Sequence, residues 1–222
     1  MLYLYAFVRD LDGVPAVAGL QGEPPELLRI GSLDAVVSGH ERLDPEIAAD
    51  SLVAHAAVVD ALMAETDELV PVRFGSVFED EHSLRAAATA KEPGLEDVLG
   101  RVRGRVEFGL HVVRARPAAE RERPKDGRER LLGKLEELRC AEKAAELDAP
   151  LVQLAVDSRR RLLRTPRLLL SAAYLIERAD AEEFADRARA IVERRPRGVE
   201  VLSTGPWPPY SFAEFEDAVR VA

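Results

Sequence analysis

The chain has 222 residues, 47% of them hydrophobic and 32% charged, with 31 Lys and Arg against 40 Asp and Glu for a formal net charge of −9. That length makes one large domain or two small ones, with enough apolar residues for a true core. The acidic balance opposes general binding to nucleic-acid phosphates and to anionic membrane surfaces. No apolar run is long enough to span a bilayer, and the single Cys140 cannot close an internal disulfide, which points to a reducing, cytoplasmic setting.

Leu2 to Val8 alternates and predicts a strand, with Leu2, Leu4, Ala6 and Val8 on one face and Tyr3, Tyr5 and Phe7 on the other. Pro15, Gly19, Gly22, Pro24 and Pro25 mark a long loop, and a second strand is expected within Leu28–Ser38. Asp44-Pro45-Glu46 carries the cap, first-turn proline and acidic residue of a helix start. Leu52, Ala56, Val59 and Met63 supply that helix with an apolar stripe. Val70, Val72 and Phe74 alternate, then the phase slips to Val77, so Gly75 predicts a bulge or kink. A helix is expected from about Asp80 to Ala90 and a short one near Leu95–Leu99. Val106, Phe108, Leu110 and Val112 then alternate strictly as a strand. The fold class is α+β. The order β-β-α-β-α-β fits a four-stranded sheet with two helices on one face, read as a ferredoxin-like N-terminal domain with a non-standard first connection.

Pro117, Pro124 and Gly127 break a polar stretch. The expected division is therefore an N-terminal domain at 1–116, a linker at 117–128 and a smaller α+β domain with long helices at 129–222. In that second domain Leu131, Leu135, Leu138 and Ala145 form a helical stripe, Pro150 interrupts, and Leu151, Leu154, Ala155, Ser158 and Leu162 continue as a second helix to Pro166. Leu168 to Ile176 is apolar on both faces and reads as an internal strand. Asp180 opens a helix carrying Phe184, Ala188 and Ile191, and Val199–Leu202 is a last strand. The tail, 205–222, holds the only Trp and three of the fourteen prolines within Gly205-Pro206-Trp207-Pro208-Pro209-Tyr210-Ser211-Phe212. Its prolines forbid helix and central strand, so its stability must come from ring burial. The tail is expected to dock on its own chain, between the domains or on a helix of the second, with Trp207 as anchor. A tail that orders only on a partner is the competing view.

Catalytic signatures are absent from this pattern. Glu107 and His111 share a strand face but stand four residues apart, about 13 Å at ~3.3 Å per residue, too far for a direct acid–base pair. His40, His55, His82 and His111 show no metal-ligand spacing, and Cys140 has no second thiol. No serine sits in a nucleophile elbow and no glycine-rich phosphate loop occurs. Arg73 reads either as a charge aimed at a partner or as an internal pair with a carboxylate such as Glu107. Arg159, Arg160, Arg161, Arg164 and Arg167 are the one basic concentration, read as cations at a helix C-terminus. Tyr3, Tyr5 and Phe7 lie on a strand face left without helix cover, which predicts that the second domain, the tail or a partner covers them.

Several segments together carry a family resemblance. They are the Tyr3-Leu4-Tyr5 strand, the helix with His55, and Leu69-Val70-Pro71-Val72-Arg73-Phe74-Gly75-Ser76-Val77-Phe78. Further along come Gly104-Arg105-Val106-Glu107-Phe108-Gly109, Leu170-Ser171-Ala172-Ala173-Tyr174-Leu175-Ile176, and Leu202-Ser203-Thr204 running into the proline-aromatic string. In this order they resemble the gas vesicle protein GvpL/GvpF family nearly end to end. The resemblance implies a non-enzymatic accessory or minor structural protein of gas vesicles, without a cofactor. It implies binding to the small hydrophobic shell-forming protein and to other accessory proteins during assembly. The expected partner-binding residues are Tyr3, Tyr5, Phe7, Arg73, Trp207, Tyr210 and Phe212. The rival reading is a small-molecule-binding or catalytic α+β protein using an open sheet face with Arg73, Glu107 and His111.

Overall fold

The structure is a computed structural model that describes residues 1–43, 49–115, 126–162, 168–196 and 198–213. The expected helix start at Asp44, most of the linker 117–128, Arg164, Pro166 and Arg167, and the tail beyond 213 lie outside the described residues. The fold is mixed α+β and forms two compact units, Met1–Arg105 joined by the described residues 207–213, and Val106–Pro206.

The first unit is built on β1 (Leu2–Val8), β2 (Glu26–Ile30), β3 (Leu33–Gly39), α1 (Ala49–Glu65), β4 (Leu69–Pro71), β5 (Val77–Phe78), α2 (Glu81–Ala90) and α3 (Glu92–Val102). Its sheet runs β2-β3-β1-β4, with β5 also paired to β1. The single strand expected within Leu28–Ser38 is a hairpin, turned at Gly31 with φ +58. The phase slip at Gly75, φ +89, splits one run into two short strands. β4 pairs with Ala6–Val8, and β5 with Leu2 and Tyr3.

A bulge in β1 changes the expected face assignment. Leu4 pairs with Val37 and Ala6 with Val36, so Tyr5 is the extra residue. Tyr3, Tyr5, Ala6 and Val8 consequently share one core with Val58, Val59 and Leu62 of α1. Leu4 and Phe7 face the other way, toward Leu84 and Ala88 of α2 and Leu95 of α3. Both faces of the central strand are thus covered by helices, and Tyr3, Tyr5 and Phe7 are 1%, 0% and 6% exposed. The expected uncovered aromatic face does not exist. On α1 the buried residues are His55, Val58, Val59 and Leu62, and Leu52 is exposed. The buried face is therefore the one adjacent to the expected stripe, because His55 is a core residue.

The second unit holds β6 (Arg105–Arg114), α4 (Gly127–Val152), β7 (Asp157–Leu162), β8 (Leu168–Glu177), α5 (Ala181–Glu193) and β9 (Val199–Trp207). The strand at Val106–Val112, assigned from sequence to the first domain, belongs here, in a sheet ordered β7-β8-β6-β9. Among the described residues the main elements of this unit run β-α-β-β-α-β, whereas the first unit has only the short 3-10 turn Leu20–Gly22 between β1 and β2, so the order expected of the N-terminal domain is not found there. Every second residue of β6 is buried from Val106 on, as the alternation requires. α4 runs through Pro150, which falls in its last turn, so the amide bond it removes lies at the end of the helix and not in its middle. The expected second helix is instead the edge strand β7, paired antiparallel to β8. Arg160 on β7 bonds Asp148 of α4 at 2.9 Å, and Tyr174 donates to the same buried carboxylate at 2.5 Å. That pairing, with the ladder to β8, overrides the local helical pattern and accounts for part of the basic cluster. β9 extends to Trp207, further than Leu202, and Gly205 allows it. At φ +115 a Cβ there would lie 2.7 Å from the Glu107 carbonyl oxygen.

Candidate functional site

The segments quoted for the family resemblance in the first unit meet around His55. The Tyr3 hydroxyl lies 3.0 Å from His55 Nδ1, and the Gly75 amide donates to the same hydroxyl at 3.0 Å. The Tyr210 hydroxyl lies 3.4 Å from Nε2. Around the imidazole, Tyr5 stacks at a centroid distance of 5.6 Å, and Phe74 meets it edge-on at 5.7 Å. A second chain of hydrogen bonds starts at Tyr5. The Leu20 amide donates to its hydroxyl at 2.7 Å. The same hydroxyl meets Ser38 Oγ at 2.9 Å, and Ser38 meets His40 Nε2 at 2.7 Å.

The electrostatics follow from burial. His55 is 2% exposed, and desolvation holds its pKa at about 4, against a smaller opposing effect from a hydrogen bond to the Val72 backbone. Burial pushes the Tyr3 hydroxyl up to about 12, although the Gly75 amide favours its ionised form. His40 is lowered as well, first by desolvation. At neutral pH the cluster is therefore an uncharged, satisfied network. It can fix the geometry of β1, of the 72–75 segment and of Tyr210. Among the described residues no group of three His, Cys, Asp or Glu is placed to hold a metal ion.

The residues expected at a partner surface divide in two. Tyr3, Tyr5, Phe7 and Phe212 are buried and Tyr210 is half-buried, whereas Arg73 is exposed and Trp207 is 47% exposed. Trp207 is thus not the tail's anchor. Phe212, at 0% exposed, and Tyr210, on the first unit's core, hold its described residues, which group with the first unit from Trp207 on. The emission of this single Trp is expected to be freely quenched by acrylamide, and Trp207→Ala to change stability by no more than about 1 kcal/mol. A blue-shifted, protected emission would contradict this placement. The rival trio is not gathered in one unit: Arg73 belongs to the first, and half-buried Glu107 and His111 to the second.

The sequence profile described as "Gas vesicle synthesis protein GvpL/GvpF" matches residues 1–214. The chain belongs to the GvpL/GvpF family. It is 33% identical to gas vesicle protein L of Streptomyces sp. (strain CB03234), over 95% of this chain and 92% of that protein. It is 28% identical to gas vesicle protein F2 of Halobacterium salinarum, over 96% and 92%. Its fold is that of the crystal structure of GvpF from Anabaena sp. PCC7120, with a TM-score of 0.80 at 19% identity over 100% and 99% of the two chains. GvpF from Microcystis aeruginosa superposes with a TM-score of 0.78 at 22% identity, over 96% and 99%. Both F-type and L-type proteins are among its relatives. Among the described residues no helix is long and apolar enough to cross a membrane.

Sequence reading missed the His40–Ser38–Tyr5 chain, and it placed His55 at the edge of a stripe rather than at its centre. The available signal was a pair of tyrosines and two histidines inside otherwise apolar segments, where buried polar groups need partners. Leu131, Leu135 and Leu138 of the expected helical stripe are 70%, 44% and 49% exposed, while Ala144, Asp148 and Leu151 are buried among the described side chains of α4.

Proposed function

We propose that this protein is a non-enzymatic accessory or minor structural protein of gas vesicles, associated with the vesicle. In this reading it binds the small hydrophobic shell-forming protein and assists assembly. The observation that carries the binding is the leucine row on α4. Leu131, Leu135 and Leu138 stand at i, i+4 and i+7 on one exposed face of a helix otherwise rich in charge. A contiguous exposed apolar strip on an acidic chain marks an interface. Of the sequence-based partner set, Arg73 and Trp207 are the members exposed at the surface, and the buried members act by holding the surface in place.

The test is capture of the shell-forming protein by the full chain, with Leu131→Glu and Leu135→Glu as variants. Each substitution is expected to weaken capture about tenfold or more, as loss of one buried leucine at an interface does. Thermal stability should be unchanged, because both side chains are exposed. Wild-type chain that captures no shell protein would remove the binding. Variants that capture as well as wild type would move it off α4.

A further inference from the structure

The face of β1 opposite His55 borders a cavity of about 60 Å³ in the first unit. It is lined by Leu4 and Phe7 of β1, by Leu84, Ala87 and Ala88 of α2, by Leu95 of α3 and by Lys91 between the two helices. A water needs ~10–15 Å³ on this measure, so the space admits roughly four to six groups of water or methylene size. The walls are almost wholly apolar and give water few partners. The exception is the Lys91 ammonium: its Nζ is buried and has no hydrogen-bond partner among the described residues. A buried cation without a partner is costly, and a carboxylate is the group that satisfies it best.

We propose that this cavity is a binding site for a short aliphatic monocarboxylate, with the hydrocarbon chain between β1 and α2–α3 and the carboxylate on Lys91. The dimensions suit one unbranched chain of about hexanoate length and leave no room for a peptide strand. The charge selects acid over alcohol and excludes an alkylammonium of the same shape. The site lies on Phe7, Phe78 and Val72 and uses nothing from the leucine row of α4, so its failure leaves the shell-binding reading untouched.

Sodium hexanoate, 1-hexanol and hexylammonium are the probes, followed by methyl NMR of the full chain. Hexanoate is expected to give saturable shifts at the Leu84, Ala88 and Leu95 methyls with a Kd near or below ~1 mM, within what a ligand of this size can reach. Hexanol should bind about tenfold more weakly and hexylammonium not at all. Lys91→Met keeps the side-chain length and removes the charge, so it should weaken hexanoate about tenfold and leave hexanol unchanged. Ala87→Leu fills the space while keeping the lysine, and should abolish both. Equal affinity for hexanoate and hexanol in the wild-type chain, unaltered hexanoate binding in Lys91→Met, or no saturable shift at those methyls would each overturn the proposal.

Discussion

Phe212→Ala is expected to destabilise the first unit by about 3–5 kcal/mol, the range for truncating a packed Phe, whereas Trp207→Ala, five residues earlier, is expected to be nearly silent. The contrast arises from the turn that separates them. The Tyr210 amide bonds the Pro208 carbonyl at 2.7 Å, and the Phe212 and Ala213 amides both bond the Pro209 carbonyl at 3.0 Å. Proline fixes φ at both of those carbonyl-bearing residues, so the turn costs little further entropy. It delivers Phe212 into full burial and Tyr210 to His55, and leaves Trp207 on β9 half in solvent. Urea unfolding reads the difference directly. The midpoint should fall strongly for Phe212→Ala with an unchanged m-value, and thermal denaturation should drop by roughly 6–20 °C for a chain of this size. If Trp207→Ala costs more than Phe212→Ala, the tail is anchored by its indole and this account of the docking is wrong.

How much of this was legible in the sequence depends on what each element answers to. β1, α2, β6, β8 and α5 follow their own periodicity, and their positions were readable because local pattern and tertiary role agree. The failures share one cause. The bulge at Tyr5 moves Phe7 to the opposite face, and nothing in Leu2–Val8 announces it; the extra residue is defined by the register with β3. β7 carries a helical pattern but completes the edge of a sheet whose next strand, β8, offers a full ladder. α4 buries Ala144, Asp148 and Leu151 and exposes Leu131, Leu135 and Leu138, which departs from the ordinary rule. A leucine row at 3.6 spacing reads the same whether it faces a core or a partner. The polar network was partly legible. Tyr3, His55 and the Pro71–Phe78 segment could each be singled out, but that a tail tyrosine more than 150 positions away closes onto His55 is a fact of topology.

Lowering the pH from 7.5 to 5 is expected to remove about 2 kcal/mol of stability through His55 alone. Its folded pKa is about 4 against an ordinary value of 6.5. Between those values the unfolded chain binds a proton that the folded chain refuses, so stability rises with pH across this window. The contribution is fully present above pH 6.5, falls as the pH drops, and is wholly lost below 4, where it amounts to about 3 kcal/mol at ~1.4 kcal/mol per unit. Among the described residues the groups facing the imidazole are the rings of Tyr3, Tyr5, Phe74 and Tyr210 and the Val72 backbone, and none of these is a carboxylate that would hold the proton in place. His40, lowered by the same cause, adds in the same direction. His55→Gln keeps a donor and an acceptor at the centre of the cluster and cannot titrate. It should be less stable than wild type at pH 7.5 yet lose about 2 kcal/mol less between pH 7.5 and 5. The double comparison separates the histidine from the chain's many carboxylates, which titrate alike in both proteins. Parallel stability profiles for the two proteins would mean that His55 takes up its proton without leaving the core. Tyr210 would then close on a cation rather than on a neutral imidazole, accepting a hydrogen bond from its Nε2–H.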